Sequence, residues 1–197
     1  MKKLVSLIIL LILLTGCTAV RIDTSNVDNI IEVVLSKDNA LYNHIGKGYK
    51  YYIPRGVTYI DTIDFNDKLY SEGDYYYLYI DAISYYHEKE IEPKRSEDAY
   101  FFKEIDINNK KGYVEIKKVN DKFLIKFTYN YARIESLVEE DKINTVILNS
   151  SYILSTVKFN NKVIKILLDE DYFKYKEEKF ELFEKEEKKD NILEYSE

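Results

Sequence analysis

The chain has 197 residues, with 35 acidic against 29 basic side chains for a net charge of −6; it holds 20 tyrosines, one cysteine and no tryptophan. This length suffices for one domain with a core of its own. The acidic balance disfavours nucleic acid as a partner, and a lone cysteine excludes any disulfide within the chain. Lys, Asn, Ile and Tyr are over-used together, as an AT-rich coding sequence produces, so tyrosine abundance alone is no sign of function.

Lys2 and Lys3 precede an apolar run from Leu4 to Leu14 that only Ser6 interrupts. About 11 residues rise roughly 16 Å as a helix, against about 30 Å of bilayer hydrocarbon, so the run suits the core of a secretory signal rather than a span. The paired lysines hold its start on the cytoplasmic side. Leu14, Thr15, Gly16 and Cys17 follow. This order of aliphatic residue, small residue, glycine and cysteine resembles the lipobox of bacterial lipoprotein signal peptides. The resemblance implies that the Cys17 thiol receives a diacylglyceryl group and that a dedicated peptidase cuts between Gly16 and Cys17. The mature protein is then expected on the extracytoplasmic face of the cell membrane, where two acyl chains hold far better than one. The expected organisation is a signal peptide over 1–16, a lipidated tether over 17–24, an α+β domain over 25–170 and a charged helical or disordered tail over 171–197. Lys2 and Lys3 leave with the signal, so the remainder carries −8, and lipid rather than surface charge must hold it on an anionic bilayer.

A first helix is expected after Ser25, which can cap it, with Val27, Ile30, Ile31 and Val34 on one face. Gly46 and Gly48 close that region, and the period then changes. Tyr49, Tyr51 and Ile53 alternate before a turn at Pro54–Gly56, and Val57–Phe65 reads as a second strand broken by Asn66, Asp67 and Lys68. Tyr75–Tyr86 reads as a long strand with Tyr76, Leu78, Ile80 and Ala82 inward and Tyr75, Tyr77, Tyr79 and Asp81 outward. Glu88–Asp98 is a charged loop and a candidate for disorder. Strands over 100–107, 113–119 and 122–130 form an antiparallel meander with turns at Asn108–Gly112 and Asn120–Asp121. Ile134, Leu137 and Val138 suggest a short helix, and Ile143, Val146, Ile147, Ser150, Leu154 and Val157 a clearer one. Val157–Phe159 turns extended, and a short helix is expected over Val163–Leu168. The stretch from Asp169 to Glu197 holds 12 acids and 6 lysines and reads as a solvated tail.

Catalytic constellations are missing from the sequence: no phosphate loop, zinc spacing or nucleophile elbow occurs, and the histidines are only His44 and His87. His87, Glu88 and Glu90 match no ligand spacing rule. Glu139–Glu140 and Asp169–Asp171 are adjacent acids of a kind that an acidic chain produces everywhere. No catalytic, cofactor or metal residue is therefore assigned. Tyr75, Tyr77 and Tyr79 on one outward face form a possible binding strip, on which a wall glycan or an envelope protein can lie; a covering second layer is the competing reading.

The order Tyr51-Tyr52-Ile53-Pro54-Arg55-Gly56, then antiparallel strands, then Ile153-Leu154-Ser155-Thr156-Val157-Lys158-Phe159 resembles the Mog1/PsbP/DcrB group, with Val57 where that group has a tryptophan. The resemblance implies a sandwich fold and an accessory rather than an enzymatic role. The expected fold is thus α+β, an antiparallel sheet of about six strands packed by two or three helices in a single domain. The expected function is that of a membrane-anchored, non-enzymatic binding or accessory module of the cell envelope. A cell-wall-acting or other envelope enzyme is the alternative, and the identity of the ligand and the oligomeric state stay open at this level.

Overall fold

The computed structural model describes residues 22–63 and 65–169. The signal peptide, Cys17 and the tail over 171–197 lie outside the described residues. Helix α1 spans Val27–Leu35, and the two short strands β1 (His44–Ile45) and β2 (Tyr49–Tyr51) follow it. Strands β3 (Thr58–Ile63), β4 (Asn66–Ser71) and β5 (Asp74–Ile80) lead into helix α2 (Ala82–Tyr86). After the 87–98 segment come β6 (Ala99–Ile107), β7 (Lys110–Val119), β8 (Lys122–Tyr129) and β9 (Ala132–Val138). A 3-10 turn (Glu140–Lys142), helix α3 (Ile143–Ser155), β10 (Lys158–Phe159) and helix α4 (Asn161–Asp169) close the described chain.

The architecture is α+β in a single domain. Seven antiparallel strands make the large sheet in the order β3-β4-β5-β9-β8-β7-β6, and β1-β2-β10 make a small one. Two of the seven, β4 and β9, were not expected as strands, while the strand expected at Tyr49–Ile53 lies in the small sheet. Registers such as Leu78↔Ile134, Phe127↔Ile134 and Val114↔Phe127 put one apolar layer on one side, with Leu69, Ile80 and Ile125 in it. The pleat makes this automatic, since alternate residues point to opposite faces. Helices α1 and α3 pack together over that layer, supplying Ile30, Ile31 and Val34 from one and Val146, Ile147 and Leu154 from the other.

Local chemistry explains most boundaries. Asn26, rather than the expected Ser25, caps α1 by accepting the Asn29 N–H at 3.1 Å, while the Ser25 hydroxyl is turned onto Asp23 at 2.6 Å. Left-handed pairs at Glu72–Gly73, Asn108–Asn109 and Asn130–Tyr131 make the tight hairpins, as the right-handed sheet twist favours. The Asn108 and Asn120 turns stand where the sequence puts them. The strand expected over Tyr75–Tyr86 ends at Ile80; Asp81 caps α2, its carboxylate accepting the Ser84 N–H at 2.9 Å. Asn66, Asp67 and Lys68 do not break a strand but open β4. The helix expected from Ile134, Leu137 and Val138 is β9, with Ala132, Ile134, Ser136 and Val138 alternating inward. The alternation is blurred in the sequence because the polar Ser136 takes an inward position and the apolar Leu137 an outward one. Gly112 has no room for a side chain, because a Cβ there would collide with the Thr128 carbonyl on β8.

The two sheets meet on one carboxylate. Asp67 is 1% exposed and points inward from β4. Tyr49 donates to its Oδ1 at 2.9 Å and Tyr51 to its Oδ2 at 2.8 Å, both from β2. Thr62 on β3 donates to Oδ1 at 2.6 Å; its one hydrogen is thereby used, so Tyr59 is the donor in their 2.6 Å contact. His44 stacks on Tyr59 with ring centroids 4.5 Å apart, and its Nε2 lies 3.6 Å from Oδ2, outside hydrogen-bond range. Gly46 is bare because the Tyr49 ring occupies the place of a Cβ. Burial pushes the Tyr49 and Tyr51 phenols far above their ordinary range, and the adjacent Asp67 charge adds to the effect.

Two outcomes follow for stability. Ile80→Ala removes a side chain from the closed layer and is expected to cost about 2–5 kcal/mol in chemical denaturation; a loss under about 1 kcal/mol would contradict the packing. Stability should also fall as pH rises above about 10. Tyrosines of the unfolded chain ionise there while Tyr49 and Tyr51 keep their protons in the fold, so the unfolded state gains. Their contribution is complete below that pH and is lost above it. Tyr51→Phe should flatten this alkaline slope, and an unchanged slope would mean that the Tyr51 phenol is not held neutral.

Candidate functional site

The face of the large sheet opposite the helices carries the groups of interest. Tyr75, Tyr77 and Tyr79 lie on it, alternating with the buried Tyr76, Leu78 and Ile80. Tyr75 is 44% exposed, and its neighbours in the strip are half-buried. Tyr70 on β4 extends the aromatic surface, its ring 5.3 Å from that of Tyr75. The Lys68 ammonium sits 4.3 Å from the Tyr75 ring centroid and the Arg133 guanidinium 5.7 Å from that of Tyr79, both within cation–π range. Asp81 belongs to the α2 cap and not to this strip.

Register across four strands sets two rows on this face. One is Tyr113, Thr128, Arg133 and Tyr79; the next is Glu115, Lys126, Glu135 and Tyr77. Strand spacing makes each row about 14 Å long. Charged groups of both signs thus lie between the Tyr77–Tyr79 rings at one end and Tyr113 at the other. Arg133 Nε lies 3.2 Å from Glu135 Oε1.

The segment over 87–98 crosses this face. It is pinned where the Ser96 N–H donates to Glu115 Oε1 at 2.7 Å, where Asp98 meets Lys117 at 3.5 Å and where Glu90 meets Lys111 at 3.0 Å. The charged loop read as a candidate for disorder is thus fastened to the sheet by its own charges. Between loop and sheet lies an open cleft of about 540 Å³ whose lining includes Tyr79, Tyr113, Tyr131, Glu115, Thr128 and Arg133. Glu115 is only 5% exposed, and Thr128 Oγ1 is buried with no hydrogen-bond partner. Tyr131 has φ 61°, a conformation disfavoured for a bulky residue, and its backbone carbonyl accepts the Asp81 N–H at 2.8 Å. Burial, with Glu88 and Asp81 nearby, raises the Tyr131 phenol above its ordinary value.

The other residues singled out from sequence are dispersed. His87 ends α2 with its ring edge-on to Tyr86, and Glu90 faces Lys111. Glu139 faces Lys122 at 3.9 Å on the surface. Among the described residues no three His, Cys, Asp or Glu side chains stand close enough to hold a metal. His44 and Asp67 belong to the inter-sheet contact, where the carboxylate is closed off by hydroxyls. The arrangement on the open face is suited to non-covalent recognition. Glu115, Thr128 and Arg133 carry no local sequence signal, since only the pairing of β7, β8 and β9 brings them together.

No protein-family model matches the chain, and comparison with curated proteins and with solved structures finds no significant similarity.

Proposed function

We propose that this protein is a lipoprotein anchored through Cys17 on the extracytoplasmic face of the cell membrane, where it acts as a non-enzymatic binding or accessory module of the envelope. The basic start, the short apolar run and the sequence Leu14-Thr15-Gly16-Cys17 support the anchor. Among the described residues no helix is long and apolar enough to cross a membrane.

One observation carries the binding role. The large sheet is closed by helices on one side only, and its open side bears Tyr75, Tyr77 and Tyr79 beside a cleft with buried polar groups. Tyrosine gives wide contact area at little cost in side-chain entropy, which suits a recognition surface. The resemblance of Pro54–Gly56 and of Ile153–Phe159 to the Mog1/PsbP/DcrB group agrees with an accessory role. Partners are expected among envelope proteins or wall glycans.

Cys17→Ser should abolish incorporation of a radiolabelled fatty acid, because no other thiol is present; persistent label would sink the lipoprotein reading. Tyr77→Ala should cost far less stability than Ile80→Ala while reducing retention of envelope material by the purified full-length protein. Equal destabilisation by the two substitutions, or unchanged retention, would remove the strip as the binding surface.

A further inference from the structure

We propose that the acidic stretch over 170–184 docks, within its own chain, into a groove between the small sheet and α4. The groove has a volume of about 660 Å³. Its apolar lining comes from Tyr42, from Ile45 on β1, from Phe159 on β10 and from Val163 and Leu167 on α4. Val163 and Leu167 stand four positions apart, so one face of the helix supplies both. Ile45 is 71% and Tyr42 49% exposed, which leaves this surface open to an incoming segment.

Charge selects the occupant. Lys47, Lys50, Lys158 and Lys162 also line the groove, and no Asp or Glu is among the described residues of its lining. The Lys50 ammonium lies 3.8 Å from the Tyr42 ring centroid, a cation set directly on the aromatic surface. Asp38 lines a separate hollow, with Lys37 and Lys110. The chain as a whole carries −6, so this basic setting is local. It suits a ligand that brings rings and carboxylates together.

Such a sequence continues directly from the groove wall. Helix α4 ends at Asp169, just beyond Leu167, and the stretch over 170–184 that follows lies outside the described residues. It holds six acids and three lysines. At helical spacing Phe173, Phe180 and Phe183 share one side, with Glu177, Glu181 and Glu184 in a row along its flank. Rings for the apolar floor and carboxylates for the lysines thus come in one pattern, as recognition of a helix in a groove requires. Phe173 follows Asp169 by four residues, a reach of about 14 Å. A segment so tethered is presented at a millimolar effective concentration, which an acidic partner from elsewhere would have to exceed.

The experiment digests the full-length protein, reconstituted in phosphatidylcholine vesicles, with chymotrypsin and follows the fragments by mass spectrometry. Cleavage after Phe180 and Phe183 is expected to be about tenfold slower than in a free peptide of residues 170–197, since the enzyme acts only on the undocked population. Ile45→Asn and Lys162→Glu, both at exposed positions, should each speed that cleavage by about threefold or more. A carboxylate in the first turn of α4 suits the helix dipole, so Lys162→Glu spares the helix itself. Salt at about 1 M should act in the same direction as these substitutions. Phe173→Ser, on the tail side, should also speed cleavage after Phe183. Cleavage as fast as in the free peptide would overturn the proposal. So would protection indifferent to the groove substitutions or to Phe173→Ser, which would put the segment elsewhere. Protection that falls as the protein is diluted among the vesicles would show docking between chains, and would overturn it too.

Discussion

A carboxylate sealed inside a protein must find its hydrogen bonds there, and Asp67 is the residue on which this constraint falls hardest. Three hydroxyls meet it, two from β2 and one from β3. Strand β2 is only three residues long, and its partners β1 and β10 have two each, so their backbone bonds alone hold little. The phenols of Tyr49 and Tyr51 convert that weak sheet into a fixed lid over the edge of the large one. Loss of the carboxylate would strand two buried phenols at once and leave the Thr62 hydroxyl without its acceptor. The same contact holds both phenols in their protonated form, so its contribution is lost as pH rises past the ordinary tyrosine range.

Fixing the small sheet on the inner side has a consequence for the outer one. Helices α1 and α3, with the small sheet, close the apolar layer, and the chain has no further regular element among the described residues for the opposite face. That face is left to alternating charges and tyrosine rings, with only the 87–98 segment across it. A solvated face is ordinary for an antiparallel sheet. Buried Glu115 and the unpartnered Thr128 hydroxyl are not ordinary there, and they distinguish the cleft from the rest of the surface.

Much of the fold was legible because its signals are short-range. The alternation of Tyr75 through Ile80 determines which side chains face the core, the asparagines at 108 and 120 determine tight turns, and the spacing from Ile143 to Leu154 determines a helix. The apolar run ending in Cys17 likewise states an expected address in local chemistry alone. What the sequence could not decide is what depends on partners distant along the chain. Ala132–Val138 became a strand because β5 and β8 pair with both of its edges, which outweighs a local pattern that puts Ser136 inward and Leu137 outward. Asp67 looked like a turn residue, since nothing nearby shows that Tyr49, Tyr51 and Thr62 will converge on it. The candidate site is the extreme case. Tyr79, Tyr113, Thr128 and Arg133 are ordinary outward positions on four strands, and only the register of those strands, set by burial of their opposite faces, brings them into one row.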